Sequence, residues 1–134
     1  MKLRNAMTAA GICMATTAIT AAFAPAASAA PTYKMHTDDG NPGGRVTFQP
    51  NGDVVELCDI EADGWAVFLD VNNYTKDKNE YDYRIGGNGR CQTFRASLGQ
   101  PYNLAEGDTF RFKICLQKGS KRDFCDMAYW ANVN

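Results

Sequence analysis

The chain has 134 residues, with 14 Lys or Arg, 15 Asp or Glu and a single His. The charge is nearly balanced and no run of basic residues occurs, which argues against nucleic acid or an anionic membrane surface as the partner. The length fits one domain with its own apolar core.

The first 29 residues predict a secretory signal peptide. Lys2 and Arg4 form a positive start, residues 6–22 carry no charge, and Ala27 and Ala29 supply the small residues that signal peptidase needs. Removal of this segment takes away two basic residues and no acid, which leaves 12 basic against 15 acidic residues. The expected product is one secreted, extracellular domain over residues 30–134, without a membrane span.

Four cysteines remain after Cys13 leaves with the signal: Cys58, Cys91, Cys115 and Cys125. An even number in a short exported chain predicts two disulfides. Zinc is disfavoured because closely spaced pairs of Cys or His are absent from the sequence. Of the three possible pairings we favour Cys58–Cys91 with Cys115–Cys125, since the second pair brackets a predicted hairpin turn at 118–121.

Alternating apolar residues predict seven short strands after a polar, irregular lead-in at 31–44. The predicted strands cover residues 45–49, 54–60, 65–71, 81–85, 91–98, 109–116 and 124–130. Asn51-Gly52 is a tight-turn signal that predicts a hairpin between the first two. With no helical periodicity, the expected fold is all-β, an antiparallel immunoglobulin-like β-sandwich with two disulfides.

The sequence lacks the residues of a known catalytic arrangement. The one histidine of the mature chain, His36, falls in the polar lead-in, and no G-x-S-x-G motif occurs. We therefore predict no enzyme and no cofactor, with a small hydrolase built on paired carboxylates as the remaining catalytic alternative.

Acidic residues cluster at Asp38-Asp39 and again at Asp59, Glu61 and Asp63. Their oxygens could bind calcium. The segment that begins at Asp70 starts like an EF-hand loop but departs from it at Tyr74 and Thr75, and Tyr81 occupies the twelfth place. We interpret the acidic residues as turn residues, predict no metal site, and leave calcium open.

Aromatic residues in loops and at the last strand are the candidate ligand-binding residues: Tyr74, Tyr102 and Trp130. Exposed aromatic rings are typical of binding surfaces. Trp65 is expected in the core, and for Tyr83 a core position is the alternative to a binding role. The hairpin turn carries Lys118 and Lys121, which a protease inhibitor could present to a trypsin-like enzyme.

Short motifs around the cysteines resemble those of the small secreted four-cysteine proteins of streptomycetes and related actinomycetes: Leu57-Cys58-Asp59, Gly89-Arg90-Cys91, Ile114-Cys115-Leu116 and Phe124-Cys125. That resemblance implies a β-sandwich and an extracellular location. The chain is also similar to the apoproteins of enediyne chromoproteins, from which Cys58 and Cys91 depart. This second similarity implies an immunoglobulin-like fold and a small-metabolite carrier.

The expected function is a small, secreted, non-catalytic binding module. Its partner could be an extracellular protein, a glycan or a small molecule, and we expect a monomer. A secreted protease inhibitor and a metabolite carrier of the chromoprotein type are the alternatives.

Overall fold

A computed structural model describes residues 29–133, so residues 1–28 of the predicted signal peptide lie outside the described range. The described residues form two four-stranded antiparallel sheets, with strand orders β1-β2-β3-β6 and β5-β4-β7-β8. The strands are β1 (Tyr33–His36), β2 (Gly44–Gln49), β3 (Val54–Asp59), β4 (Ala66–Asn73), β5 (Lys78–Ile85), β6 (Cys91–Phe94), β7 (Thr109–Lys118) and β8 (Lys121–Ala131). The all-β prediction is confirmed, with eight strands rather than about seven.

The first sheet is built on the predicted hairpin of β2 and β3. Its turn contains Gly52 and Asp53, both with positive φ, and Phe48 of β2 pairs with Val55 of β3. Positive φ is a backbone conformation that Gly and Asp adopt more easily than most residues. Alternate residues of both strands are buried, which fixes the face that each strand turns to the core.

The second sheet has β4 and β7 at its centre. Phe110, Phe112 and Ile114 of β7 are fully buried, as their alternation predicts. Val67, Leu69 and Val71 of β4 face the same core, whereas Phe68 is covered on the opposite face of the sheet. The interior between the sheets is filled by side chains of both, as shown by Phe48, whose ring centroid lies 5.0 Å from that of Phe112.

The lead-in differs from the sequence prediction because part of it is a strand. Tyr33–His36 pairs with β2 as β1, and Met35 is buried in the core. The ring of Tyr33 stacks on Trp130 at 5.4 Å, so β1 also closes the gap to the second sheet. Four residues with two polar members are too short to give a readable alternation, and the pairing with β2 decides their conformation.

The predicted strand at 91–98 is shorter than expected. It ends at Phe94 and is followed by a 3₁₀ helix, Ala96–Leu98. Between residues 29 and 133, no helix has the length and the apolar character needed to cross a bilayer.

Both predicted disulfides are confirmed. Cys58 of β3 bonds to Cys91 of β6, and Cys115 of β7 bonds to Cys125 of β8. Each bridge joins neighbouring strands within one sheet. The two sheets are therefore held to each other by the apolar core and by neither disulfide.

Candidate ligand-binding face

The outer surface of the β5-β4-β7-β8 sheet collects polar side chains in ordered rows. Because neighbouring residues of a strand face opposite sides, the buried Phe110, Phe112 and Ile114 leave Arg111 and Lys113 on the outer surface. Strand pairing sets Asn79, Asn72, Arg111 and Tyr129 side by side across the four strands. The next row contains Asp82, Asp70, Lys113 and Met127. We call these eight residues the outer face.

The carboxylate of Asp70 organises the centre of the outer face. Arg111 Nη2 donates a hydrogen bond of 2.8 Å to Asp70 Oδ2. The side-chain amides of Asn72 and Asn79 each donate one of 2.9 Å to Oδ1. Charge-assisted hydrogen bonds of this length are among the stronger polar contacts in proteins. The three donors therefore hold one another in place around a partly buried carboxylate.

At one end of the outer face, Tyr74 and Tyr129 form an exposed aromatic pair. Their ring centroids are 4.9 Å apart with a 73° angle between the planes. Tyr74 is 63% exposed and Tyr129 51% exposed. Together with Thr75, Asp77 and Thr109, the two rings line an open cleft of about 700 Å³. We call Tyr74 and Tyr129 the tyrosine pair.

Hydrogen bonds at the end of β4 hold Tyr74 beside Tyr129. The backbone N–H of Tyr74 donates to the carbonyl of Thr109 at 2.9 Å, and the N–H of Thr109 donates to Thr75 Oγ1 at 2.9 Å. Asn73 Nδ2 donates to Asp108 Oδ2 at 2.7 Å. That hydrogen bond, followed by the one from Lys76, holds the pKa of the Asp108 carboxyl below its usual value.

The two other aromatic candidates lie elsewhere. Trp130 is only 8% exposed and packs in the core against Phe112, with ring centroids 4.7 Å apart. Tyr102 is half-buried and stacks on Phe94 at 4.8 Å, beside Tyr81, whose hydroxyl pKa is raised by burial. Of the three predicted residues, Tyr74 is the one presented to solvent.

The candidate residues predicted from the sequence did not include Tyr129, although strand alternation could have identified it. It precedes Trp130 in β8, so the two side chains point to opposite faces of the sheet. Assigning the larger and more apolar indole to the core places the Tyr129 ring outside, which is the observed arrangement.

A shallow recess continues the outer face toward the hairpin turn. The guanidinium of Arg122 stacks on the ring of Phe68 at 3.4 Å. These two residues line a recess of about 250 Å³ together with Lys113, Cys115 and four outer-face residues: Asp70, Asn72, Asn79 and Asp82. Stacking on an aromatic ring is a favourable geometry for a guanidinium. In the described part of the chain neither Lys113 nor Arg122 forms a salt bridge.

Lys118 and Lys121 belong to the paired strands of the last hairpin rather than to a protruding loop. They flank the two-residue turn Gly119-Ser120, and their ammonium groups lie 5.9 and 5.7 Å from the ring centroid of Trp65. Lys121 also pairs with Asp123, and this hydrogen bond lowers the pKa of the Asp123 carboxyl. Trp65 itself is partly buried at the edge of the core, so the expectation of a core Trp65 is correct only in part.

The predicted turn acids accept backbone hydrogen bonds. Asp39 accepts from Gly43 N–H, Asp59 from Gly87 N–H at 2.8 Å, and Asp63 from Trp65 N–H at 2.8 Å. These contacts stabilise turns between strands, which is the interpretation that the sequence favoured.

The other groups considered for catalysis or metal binding are separate from the outer face. Glu56 lies close to the sulfur atoms of Cys58 and Cys91, but these atoms are bonded to each other. His36 lies in β1 opposite Arg45, on the other sheet.

Comparison with known proteins yields no relative: no family model matches the chain, and no curated protein and no solved structure matches it.

Proposed function

We propose that the protein is an exported, non-catalytic binding module that holds its ligand on the outer face, with the tyrosine pair as the main contact. The observation that supports this most directly is the continuity between an exposed aromatic pair and a hydrogen-bonded polar surface. Arg111 is the strand neighbour of Tyr129 and at the same time the partner of Asp70.

The outer face is preorganised for binding. The tyrosine pair offers apolar ring surface to a ligand, while Asn72, Asn79 and Arg111 are already fixed around Asp70. Side chains that are held before binding lose little conformational entropy when the ligand arrives. An apolar contact area beside a few fixed polar groups is the usual composition of a ligand site.

Export is supported by the predicted signal peptide and by the two disulfides, which persist in oxidising compartments. The immunoglobulin-like arrangement is supported by the order of the strands. The chain passes to the second sheet after β3, returns for β6 and leaves again for β7. This gives one sheet of β2, β3 and β6 facing one of β5, β4, β7 and β8, with β1 as an added edge strand.

The two alternative functions receive less support. A protease inhibitor needs an extended loop that enters the cleft of the enzyme, whereas Lys118 and Lys121 lie in paired strands beside Trp65. A small-metabolite carrier needs space for its cargo, and large side chains such as Phe48, Phe110 and Phe112 fill the interior between the sheets.

The test is an NMR map of the binding surface. Isotope-labelled mature protein is mixed with separated fractions of culture medium and cell wall from the producing organism. We expect at least one fraction to shift the amide signals around the tyrosine pair and Arg111. The double variant Tyr74→Ala/Tyr129→Ala should lose that response.

The matched control is Leu98→Ala, which removes a side chain that is 57% exposed in the 3₁₀ helix. This variant should respond as the unmodified protein does. Shifts centred on another surface, such as the turn beside Trp65, would overturn the proposal. So would a full set of fractions that leaves every signal of the folded protein unchanged.

A further inference from the structure

The charge of the outer face and of the recess points to a more specific ligand. We propose that the protein binds a carboxylated polysaccharide, with a sugar ring packed on the tyrosine pair and the carboxylates of the polymer at Lys113 and Arg122. This inference rests on the proposed function, since it names the ligand class of the same face.

Positive charge is concentrated on this side of an acidic domain. The predicted mature chain has 12 basic and 15 acidic residues. At the outward positions of the second sheet, basic residues outnumber acidic ones. These positions carry four cations and two anions: Arg84, Arg111, Lys113, Arg122, Asp70 and Asp82. A local excess of cations attracts an anionic partner even when the whole molecule is acidic.

Among the described residues three of these cations, Arg84, Lys113 and Arg122, form no salt bridge. Lys113 and Arg122 are the two that line the recess. Lys113 is the strand neighbour of Asp70, but the Asp70 carboxylate already accepts hydrogen bonds from Arg111, Asn72 and Asn79. Arg122 is held flat on Phe68, and the edge of a guanidinium stacked in this way keeps its N–H donors for another partner. Both cations line the same recess of about 250 Å³. Of the two carboxylates in its lining, Asp70 is paired with Arg111 and Asp82 accepts a hydrogen bond from Asn79, so neither pairs with Lys113 or Arg122.

The remaining chemistry of the outer face fits sugar rings. The C–H groups on one side of a pyranose ring are apolar and pack on aromatic rings, as on Tyr74 and Tyr129. Sugar hydroxyls both donate and accept hydrogen bonds, which suits the Asn72 amide and the Asp82 carboxylate of the next row. Four strands place the ends of a row about 14 Å apart, so an extended polymer spans the face better than one small ion does.

A nucleic acid fits this face less well. A single strand carries one phosphate about every 3.4 Å, and its binding calls for a continuous track of cations. Here Lys113 and Arg122 line one recess, and the exposed carboxylate of Asp82 in the same recess would repel a second phosphate. A polymer with one carboxylate per sugar has a lower charge density and uncharged hydroxyls between its charges. On the outer face the amides of Asn72 and Asn79 lie beside the cations of β7, which suits hydroxyls that alternate with carboxylates.

The experiment compares one polymer with and without its charge. Polygalacturonate, alginate and hyaluronate are the carboxylated probes, fully methyl-esterified polygalacturonate is the neutral probe, and single-stranded poly(dT) is the nucleic-acid probe. Affinities of the mature protein are measured by calorimetry at low and high salt. We expect at least one carboxylated polymer to bind, more weakly as salt rises. The methyl ester should bind less tightly than polygalacturonate, and poly(dT) least.

Variants locate the charge that the polymer contacts. Lys113→Gln/Arg122→Gln should lower the affinity for the carboxylated polymer about five- to tenfold and flatten its salt dependence, as expected for two partly exposed ion pairs. Lys34→Gln is the matched control, because it removes one exposed lysine from β1 in the other sheet. It should change the affinity less than twofold.

The outcomes separate this inference from the proposed function. If the methyl ester binds as well as polygalacturonate, or if poly(dT) binds best, the carboxylated class is wrong. If no carboxylated polymer binds while culture fractions still shift the signals of the tyrosine pair, the ligand class is again wrong but the binding face stands. If neither polymers nor fractions produce a response, both proposals fail.

Discussion

Asp53 joins three segments of the chain that are far apart in sequence. It lies in the β2–β3 turn, and its carboxylate accepts hydrogen bonds from Leu104 N–H at 2.8 Å and from Asn132 Nδ2 at 2.9 Å. Asp53 and Asn132 are both buried. A buried donor left without its acceptor costs the full loss of its hydration. One carboxylate thus holds the turn, the loop before β7 and the C-terminal segment together.

Replacing Asp53 by Ala should therefore destabilise the domain strongly. We expect a loss of roughly 3–5 kcal/mol in the free energy of unfolding, because two buried donors lose their acceptor. The measurement is denaturant unfolding of the oxidised protein followed by tryptophan fluorescence. Asp53→Asn should also be destabilised, since an amide offers one acceptor where the carboxylate offers two.

Asp77→Ala is the matched control for this prediction. Asp77 has nearly the same backbone conformation, with φ of 50° against 52° for Asp53, but it is exposed in the β4–β5 turn. Its substitution should cost about 1 kcal/mol, the part that comes from an Ala in a left-handed conformation. Equal losses in the two variants would show that the hydrogen bonds of Asp53 contribute little.

Asp108 connects two strands, the end of β4 and the start of β7. Asn73 ends β4 and donates to the Asp108 carboxylate, and Lys76 of the following turn pairs with the same carboxylate at 2.9 Å. Both contacts favour the ionised form, so the pKa of Asp108 is lower in the folded protein than in the unfolded chain. The stability that this carboxylate contributes is present above its unfolded pKa and is lost as pH falls through its folded pKa.

The lowered pKa of Asp108 predicts how the stability of the domain changes with pH. Asp108→Asn should be less stable than the unmodified protein at pH 7, and the difference should shrink below pH about 4 as the native carboxylate becomes protonated. Unfolding curves from pH 7 to pH 2 measure the difference. An NMR titration of the Asp108 carboxyl carbon should show a midpoint below the ordinary aspartate value. A stability difference that stays constant across this range would contradict the assignment.

The β1 and β8 strands show what a sequence pattern can and cannot predict. Strongly alternating segments such as β7 are readable because burial on one face selects every second side chain. β1 has four residues, and its conformation comes from pairing with β2 and from the Tyr33–Trp130 stack. In β8 the bulge near Phe124, which has positive φ, interrupts the pairing with β7, and no local pattern signals it.

The candidate site was less predictable than the fold, because its residues come together only through the pairing of several strands. The loop position of Tyr74 indicated an exposed ring, but its partner Tyr129 is 55 positions further along the chain, and only the strand register brings the two together. The polar row of Asn72, Asn79 and Arg111 depends on the same register. The sequence alone predicts which side chains of a single strand face the core. A site on a sheet also depends on the order and the register of several strands, which the sequence does not show.

For the whole molecule, the two disulfides contribute stability unequally. Cys58 and Cys91 are 33 positions apart, and Cys115 and Cys125 are 10 apart. Loop-closure entropy in the unfolded chain then gives about 3.7 kcal/mol for the first bridge and about 2.7 kcal/mol for the second. Cys58→Ala/Cys91→Ala should therefore lose about 1 kcal/mol more than Cys115→Ala/Cys125→Ala in denaturant unfolding.

Both double variants should still fold, because the contact between the sheets is made by the apolar core and not by either bridge. Retained near-ultraviolet circular dichroism at low temperature checks this point. If removal of the short Cys115–Cys125 bridge lowers the free energy of unfolding more than removal of Cys58–Cys91, the order expected from loop-closure entropy is wrong. Such a result would mean that the bridge stabilises the bulged pairing of β7 and β8 in the folded state. At this bulge the carbonyl of Phe124 accepts a hydrogen bond of 3.0 Å from the N–H of Asp38. In that case the bridge would also stabilise the contact between the two sheets at the β1 edge.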